Sequence, residues 1–281
     1  MAEPSDVRFE RDEHGGVTVI VGDQPQSYVD PDDPGALVFE YVQHFAAAID
    51  ALLPARTHPR IGITHVGGAG LTLPRWVQHT RPGSPQIVLE PDTALTERVR
   101  AELPLPRGHR IRVRPVDGRT GMTALKGDSA EVVVIDAFAG GSVPRELVTS
   151  QWFADVVRVL RPGGVVLMNC PDEPGMRHLG RVAAGLREAV EGGGGPRGEV
   201  ALIATHEVLK GRRYGNTVLV ARRGGSLDCD EIRRQVGLWP FPTGVLSPKE
   251  LARRTTGARP LRDGEDFTPP QAPEAGRWRV R

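Results

Sequence analysis

Residues 61–75 read IGITHVGGAGLTLPR, and the fold follows from how this stretch is parsed. Ile61, Ile63 and Val66 have the apolar, β-branched character of a buried strand. Gly67, Gly68 and Gly70 follow at once, and residues 71–77 open a helix. A strand, a glycine turn and a helix make a cradle for a nucleotide-type ligand, because glycines let the backbone approach it and a helix N-terminus offers free N–H groups. Such turns also occur without a ligand, so this stretch by itself leaves binding open.

The same pattern repeats downstream. Residues 86–89 form a strand ending in Glu90-Pro91-Asp92, 93–103 a helix, and 110–116 a strand ending in Asp117-Gly118. Residues 131–135 are almost uninterrupted Val and Ile and end in Asp136. Strands this apolar are buried on both faces, which predicts an α/β fold with a mostly parallel sheet covered by helices. Residues 149–160 form a helix with Trp152, Phe153, Val156, Val157 and Leu160 on one side. Arg161-Pro162-Gly163-Gly164 then breaks the chain before a strand at 165–169. A helix at 175–191 and a loop at 192–195 lead to the last two strands, 200–205 and 217–221, expected antiparallel near the sheet edge.

Upstream, residues 17–21 and 26–29 form a hairpin around Gly22-Asp23-Gln24-Pro25. Asp33-Pro34 supplies an N-cap and an N1 proline for a helix running to Pro54, with Leu37, Val38, Tyr41, Phe45, Ile49 and Leu52 at helical spacing. After Gly224, residues 230–236 form a short helix, Ser247-Pro248 starts another, and 268–273 are extended or turn-rich. Trp239, Phe241 and Trp278 either anchor this tail on the domain or mark a subunit contact, packing being favoured. The expected organisation is an N-terminal β-hairpin and helix (1–55), a Rossmann-like α/β domain (56–224) and a Pro/Arg-rich C-terminal extension (225–281).

Composition narrows the partner. The 281 residues carry 36 Lys+Arg against 35 Asp+Glu, a formal charge of +1, which gives no electrostatic case for nucleic acid or a membrane surface. Cys170 and Cys229 are the 2 cysteines, too few for a disulfide framework and without metal-ligand spacing. No apolar run approaches the ~20 residues of a membrane span. The expectation is a cytoplasmic protein with small-molecule partners and no metal.

Three acids close consecutive strands. Each alone reads as a helix cap or loop acid. Together, Glu90, Asp117 and Asp136 converge on the carboxyl rim of the sheet, where ligands of open α/β sheets lie. Glu90 follows Gly70 by the ~20 residues that separate a phosphate or nucleoside loop from a ribose-binding acid. Asp117, acceptor-only when ionised, suits an exocyclic adenine amine. The loop reads G-G-A-G-L-T, without a full G-x-G-x-x-G, so a dinucleotide is disfavoured.

Between the hairpin and Arg222 the chain resembles the spermidine synthase-like (polyamine aminopropyltransferase) family, within the class I S-adenosylmethionine-dependent methyltransferase-like superfamily. The likeness rests on Gln26-Ser27-Tyr28, Tyr41, VGGAGLTL, LEPD, VDGR, VVVIDAF with SVP, and LRPGGVVLMN, in that order. It implies a Rossmann-like seven-stranded, mostly parallel sheet behind a small N-terminal β-domain, with donor and acceptor in the cleft between. It also implies a donor site of Gly67, Gly68, Gly70, Glu90, Asp117 and Gly118 for S-adenosylmethionine or its decarboxylated form. Asp136 matches the acid that handles the nucleophilic amine, and Gln26 and Tyr41 match the acceptor cleft. Polyamine biosynthesis and a homo-oligomer are implied by the resemblance only.

Two positions depart from the family pattern. Its loop usually reads G-G-G-D-G-G-T-L, and the aspartate that pairs with the donor's aminopropyl ammonium is Ala69 here. Its D-x-x-D motif is Asp136 to Ala139, D-A-F-A, without the second acid that orients a diamine. An unpartnered buried ammonium costs about 3–5 kcal/mol, so conventional putrescine aminopropylation is not expected unless Asp33, Glu40, Glu146, Asp172 or Glu173 compensates. The expected chemistry is in-line displacement at a carbon on sulfonium sulfur, with Asp136 as base and His44 as a secondary candidate. An S-adenosylmethionine-dependent methyltransferase and a non-catalytic nucleoside-binding homologue are the alternatives.

Overall fold

The computed structural model describes residues 6–192 and 196–271. The central strands β4 (Ile63–Val66), β5 (Gln86–Leu89), β6 (Ile111–Arg114), β7 (Ala130–Ile135) and β8 (Leu160–Asn169) are parallel. Beyond β8 come β10 (Val218–Arg222), β9 (Glu199–Thr205) and β11 (Thr243–Leu246), each antiparallel to its neighbour. The eight strands run in the order β11-β9-β10-β8-β7-β4-β5-β6, an α/β sheet that is mostly parallel. The reversal of strand order about β4 creates the switch point at which such sheets bind ligands.

Alternation along β7 separates two cores. Val133 and Ile135 face α5 (Ser150–Val159) and α6 (Arg177–Glu191), where Trp152, Phe153 and Leu179 are fully buried. Val132 and Val134 face α1 (Glu40–Leu52), α2 (Thr72–Thr80) and α8 (Cys229–Val236), through Phe45, Ile49, Trp76 and Ile232. Removing the Trp152 side chain would cost about 3–5 kcal/mol, the range for a large core aromatic.

The N-terminal unit has three strands: β1 (Val7–Arg11) pairs with β2 (Val17–Val21), which pairs with β3 (Gln24–Val29). Val7, Val17, Val19 and Val29 pack on Leu95, Val99 and Leu103 of α3 (Thr93–Glu102) and the residue after it. This fixes the small sheet over the glycine turn.

Several elements differ from the sequence reading. The helix expected from Asp33-Pro34 starts at Glu40, because Asp33 Oδ1 accepts from Gly35 N at 2.9 Å and closes a tight turn instead. β8 runs through Arg161-Pro162-Gly163-Gly164 with a register shift: Leu160 pairs with Ala130, then Val165 with Val132. Gly163, at φ 79°, permits that irregularity. An eighth strand, β11, covers β9 at the sheet edge, and α9 (Pro248–Arg254) begins with a capping box of Ser247 and Glu250. Gly193–Gly195 and Trp278, given roles in the sequence reading, lie outside the described residues.

Candidate functional site

Parallel register places three residues one step past their strand ends, level with the last residue of β8. Val66 pairs with Leu89 and with Ile135, and Ile135 with Met168, so Gly67, Glu90, Asp136 and Asn169 form a row along the carboxyl rim. Gly67 has φ 89°, and a Cβ there would collide with the Asp136 carbonyl. Only glycine lets β4 turn out of the sheet so close to β7. Beside this row lies a cleft of about 630 Å³.

Gln26, Tyr41, Gly67, Gly68, Glu90, Asp117, Gly118 and Asp136 all line this cleft, brought together from six separated parts of the chain. Gly70 is placed differently. Its N–H donates to Ser27 Oγ at 3.0 Å, and a Cβ there would lie 2.7 Å from Ser27 Cβ. Gly70 therefore serves the docking of β3, not the cleft. Thr72 Oγ1 donates to Tyr28 O at 2.8 Å beside it. Ser27 thus has a positioning role that sequence reading missed.

Glu90 accepts from Gly68 N and from Asp92 N, both at 2.9 Å. Burial raises its pKa, opposed by these backbone hydrogen bonds. Ala69 is a third backbone partner, so about one of the four lone-pair positions of the carboxylate remains for a ligand hydroxyl. Asp117 is the N-cap of α4 (Gly118–Thr123) and accepts from Thr120 N at 2.8 Å, which holds its pKa low. A Cβ at Gly118 would lie 2.5 Å from Val66 Cγ1, so this helix start approaches β4 only as glycine.

Asp136 is held by side chains. Asn169 Nδ2 donates to its Oδ1 at 3.2 Å, and the Tyr41 hydroxyl also hydrogen-bonds to it. Burial pushes the Asp136 carboxyl up to about 6, against the lowering effect of both hydrogen bonds. Tyr41 is pushed well above its usual range by burial and by the Asp136 charge. Its ring stacks on Phe39 with centroids 6.1 Å apart and meets Phe45 edge-on at 5.8 Å. Phe138 and Ala139 line the cleft just beyond Asp136. Asn169 was legible by the rule that singled out Asp136, since it closes the adjacent strand.

Six carboxylates border the cleft: Asp23, Glu90, Asp92, Asp117, Asp136 and Glu146. No lysine or arginine is among its described lining residues. The sole histidine there is His65, which burial pushes down to about 4. Of the proposed compensating acids, Glu146 reaches the cleft. Asp33 closes its turn, Glu40 accepts from Asn216 Nδ2 at 3.1 Å, and Asp172 accepts from Leu179 N at 2.7 Å near the start of α6. Glu173 is not among the cleft residues. His44 also lies away from the cleft, bonded through Nε2 to Thr243 Oγ1 at 3.0 Å. No metal-holding group of three or more His, Cys, Asp or Glu side chains occurs among the described residues, and no described helix is long and apolar enough to cross a membrane.

No family model matches the sequence. A polyamine aminopropyltransferase of Chromobacterium violaceum is 27% identical over 145 residues, covering 51% of this chain and 53% of that protein. The crystal structure of a probable spermidine synthase from Corynebacterium glutamicum is 29% identical, with a TM-score of 0.84, covering 96% of this chain and 97% of that one. In sequence and fold the chain is similar to the spermidine synthase-like family. It spans about half the length of the curated relatives it matches. A spermidine synthase solved with the transition-state analogue AdoDATO shares the fold at 18% identity and a TM-score of 0.50, covering 79% of this chain and 71% of that one. Within the family pattern, Ala69 and Ala139 both border the cleft where an acid is usual.

Proposed function

We propose that this chain is a spermidine synthase-like transferase whose donor is an adenosylated sulfonium without a carboxylate, and whose acceptor is a small amine other than putrescine. The charge of the cleft carries the reading: six bordering carboxylates, no described lysine or arginine, and Asp136 placed to receive a proton. A methionine-type carboxylate would enter among like charges, which costs several kcal/mol. Decarboxylated S-adenosylmethionine avoids that cost. Its fit is supported by Glu90, which borders the cleft just past β5 and is held there by backbone N–H groups in reach of a ribose hydroxyl.

In this reading Glu90 orients the ribose, Asp117 faces the adenine amine, and Gly67 and Gly68 let the adenosyl group approach the backbone. Gln26 and Tyr41 line the acceptor side. Asp136 orients the acceptor amine and takes its proton. The amine lone pair forms the new C–N bond as the C–S bond breaks, and the electron pair leaves on a neutral thioether. Alignment and deprotonation are the protein's main contributions. A base with a pKa near 6 is ionised at neutral pH and remains basic enough to assist.

Methyl transfer from S-adenosylmethionine is the second reading, favoured by Ala69, which lacks the acid that in the resembled family selects the decarboxylated donor. Thermal-shift titration with S-adenosylmethionine, its decarboxylated form and methylthioadenosine separates the two. At 100 times its dissociation constant a ligand adds about 2.7 kcal/mol. The decarboxylated donor and methylthioadenosine should stabilise the protein. Stronger stabilisation by S-adenosylmethionine selects the methyltransferase, and no shift with any of the three removes the adenosyl pocket.

A further inference from the structure

The six carboxylates are not evenly placed. Asp23 pairs with Arg8 at 2.9 Å at the hairpin tip. Glu90 is bonded to the glycine turn, and Asp92 accepts from Leu95 N at 2.8 Å at the start of α3. Asp117 caps α4 and Glu146 stands at the cleft rim, and both side chains are exposed, so water screens their charges. Asp136 is the carboxylate whose described partners are Tyr41 and Asn169, beside an apolar wall of Phe39, Tyr41, Ala137, Phe138 and Ala139.

We infer that the acceptor is a monoamine with an apolar or aromatic body, its nitrogen on Asp136 and its body against Phe39, Tyr41 and Phe138. This rests on the transferase reading above and names its substrate class. One amine can be received by one carboxylate. A second ammonium, four or five carbons away, would displace water to meet rings and the Ala139 methyl. Ring faces hold a cation by about 0.5–2 kcal/mol, less than a close, desolvated carboxylate can at up to about 7 kcal/mol. An apolar body gains the burial of its whole surface there. Ala139 is exposed at the cleft and bridged to Ser142 through the backbone, so its side chain can change without rebuilding the loop.

The test compares 2-phenylethylamine and n-hexylamine with 1,4-diaminobutane as acceptors for the full chain. Decarboxylated S-adenosylmethionine is the donor, and released methylthioadenosine is quantified by chromatography. Expected is a kcat/KM at least about tenfold higher for the monoamines, with Ala139→Asp lowering that ratio at least about tenfold. Equal use of the diamine, or preference for it, overturns the inference. If nothing turns over, the same amines are titrated into protein saturated with methylthioadenosine. A thermal shift with the monoamines alone supports the inference, and a shift with the diamine or with none overturns it. Failure of methylthioadenosine itself to bind would instead bring down the transferase reading.

Discussion

On the glycine-turn side of the cleft, Glu90 and Asp117 are held by backbone N–H groups; on the opposite side, Asp136 is held by the side chains of Tyr41 and Asn169. Main-chain partners come with the fold and survive most substitutions. Side-chain partners are set residue by residue, and the two departures from the family pattern alter side-chain charge without altering a strand. The comparison teaches that the backbone-held wall is part of the architecture, whereas the contacts around Asp136 are open to change.

The largest expected effect separates the two sides by function. Asp136→Asn should lower kcat about 10²–10⁴-fold, the usual contribution of a positioned base, with methylthioadenosine affinity within about twofold of wild type. Glu90→Gln should do the reverse, weakening nucleoside binding by about tenfold or more, in the range for a lost charged hydrogen bond. Steady-state kinetics and calorimetric titration of both variants decide it. Turnover by Asp136→Asn at the wild-type rate would remove its catalytic role.

Next in size is a test of the backbone that joins the sides. Gly67→Ala places a methyl against the Asp136 carbonyl at a left-handed φ of 89°. It should destabilise the fold by about 2–4 kcal/mol, from overpacking and backbone strain together. Urea denaturation measures this, and a loss below about 1 kcal/mol would show that the β4 turn is less constrained than its geometry indicates.

The acid side also has a pH signature. Burial raises the Asp136 carboxyl from 3.8 to about 6, so the folded protein holds this proton more tightly than the unfolded chain. The stability carried by the protonated form is complete below about pH 4 and is lost as pH rises through about 6. The difference amounts to at most about 3 kcal/mol. Asp136→Asn cannot ionise, so it should be more stable than wild type at pH 8 by about 1–3 kcal/mol, the gap closing below pH 4. Melting curves across that range check the sign. A variant less stable than wild type at pH 8 would mean that the Tyr41 and Asn169 hydrogen bonds outweigh desolvation. Turnover should likewise show an acidic limb near pH 6 in kcat/KM.

Much of this arrangement was legible in residues 61–75 and in the acids that close later strands, because strand burial, glycine turns and strand-end chemistry are local signals. The parts that escaped were non-local or mixed in pattern. β1, Val-Arg-Phe-Glu-Arg, has charges on its open face and is a strand only because β2 lies beside it. β11 is four residues containing a glycine, and pairing with β9 makes it a strand. Asp33-Pro34 has the letters of a helix start, but the Asp33 carboxylate closes a turn with Gly35. Gly70 read as a ligand glycine because nothing in the sequence shows that Ser27, 43 residues earlier, takes its N–H. Phe39 carried no motif and Phe138 stood in one without a role, and their part in the cleft follows from the fold alone.

The smallest expected effect is at Ala69, the one position where the backbone and the missing charge can be separated. Its φ of 32° lies in the left-handed region, where alanine is strained by about 1–2 kcal/mol and glycine or aspartate is better accommodated. Ala69→Gly relieves that strain but frees the unfolded chain by about 0.4–1 kcal/mol, so a net gain of about 0.5 kcal/mol is expected. Donor affinity should not change. Ala69→Asp fits the same backbone and adds a carboxylate beside the glycine turn. It should tighten decarboxylated S-adenosylmethionine by about tenfold relative to Ala69→Gly and leave methylthioadenosine, which has no ammonium, unaffected. Calorimetric titration of the two variants with both ligands gives the comparison directly. If Ala69→Asp tightens both ligands alike, the residue acts through the backbone, and the absence of the family's acid would no longer bear on which donor this chain accepts.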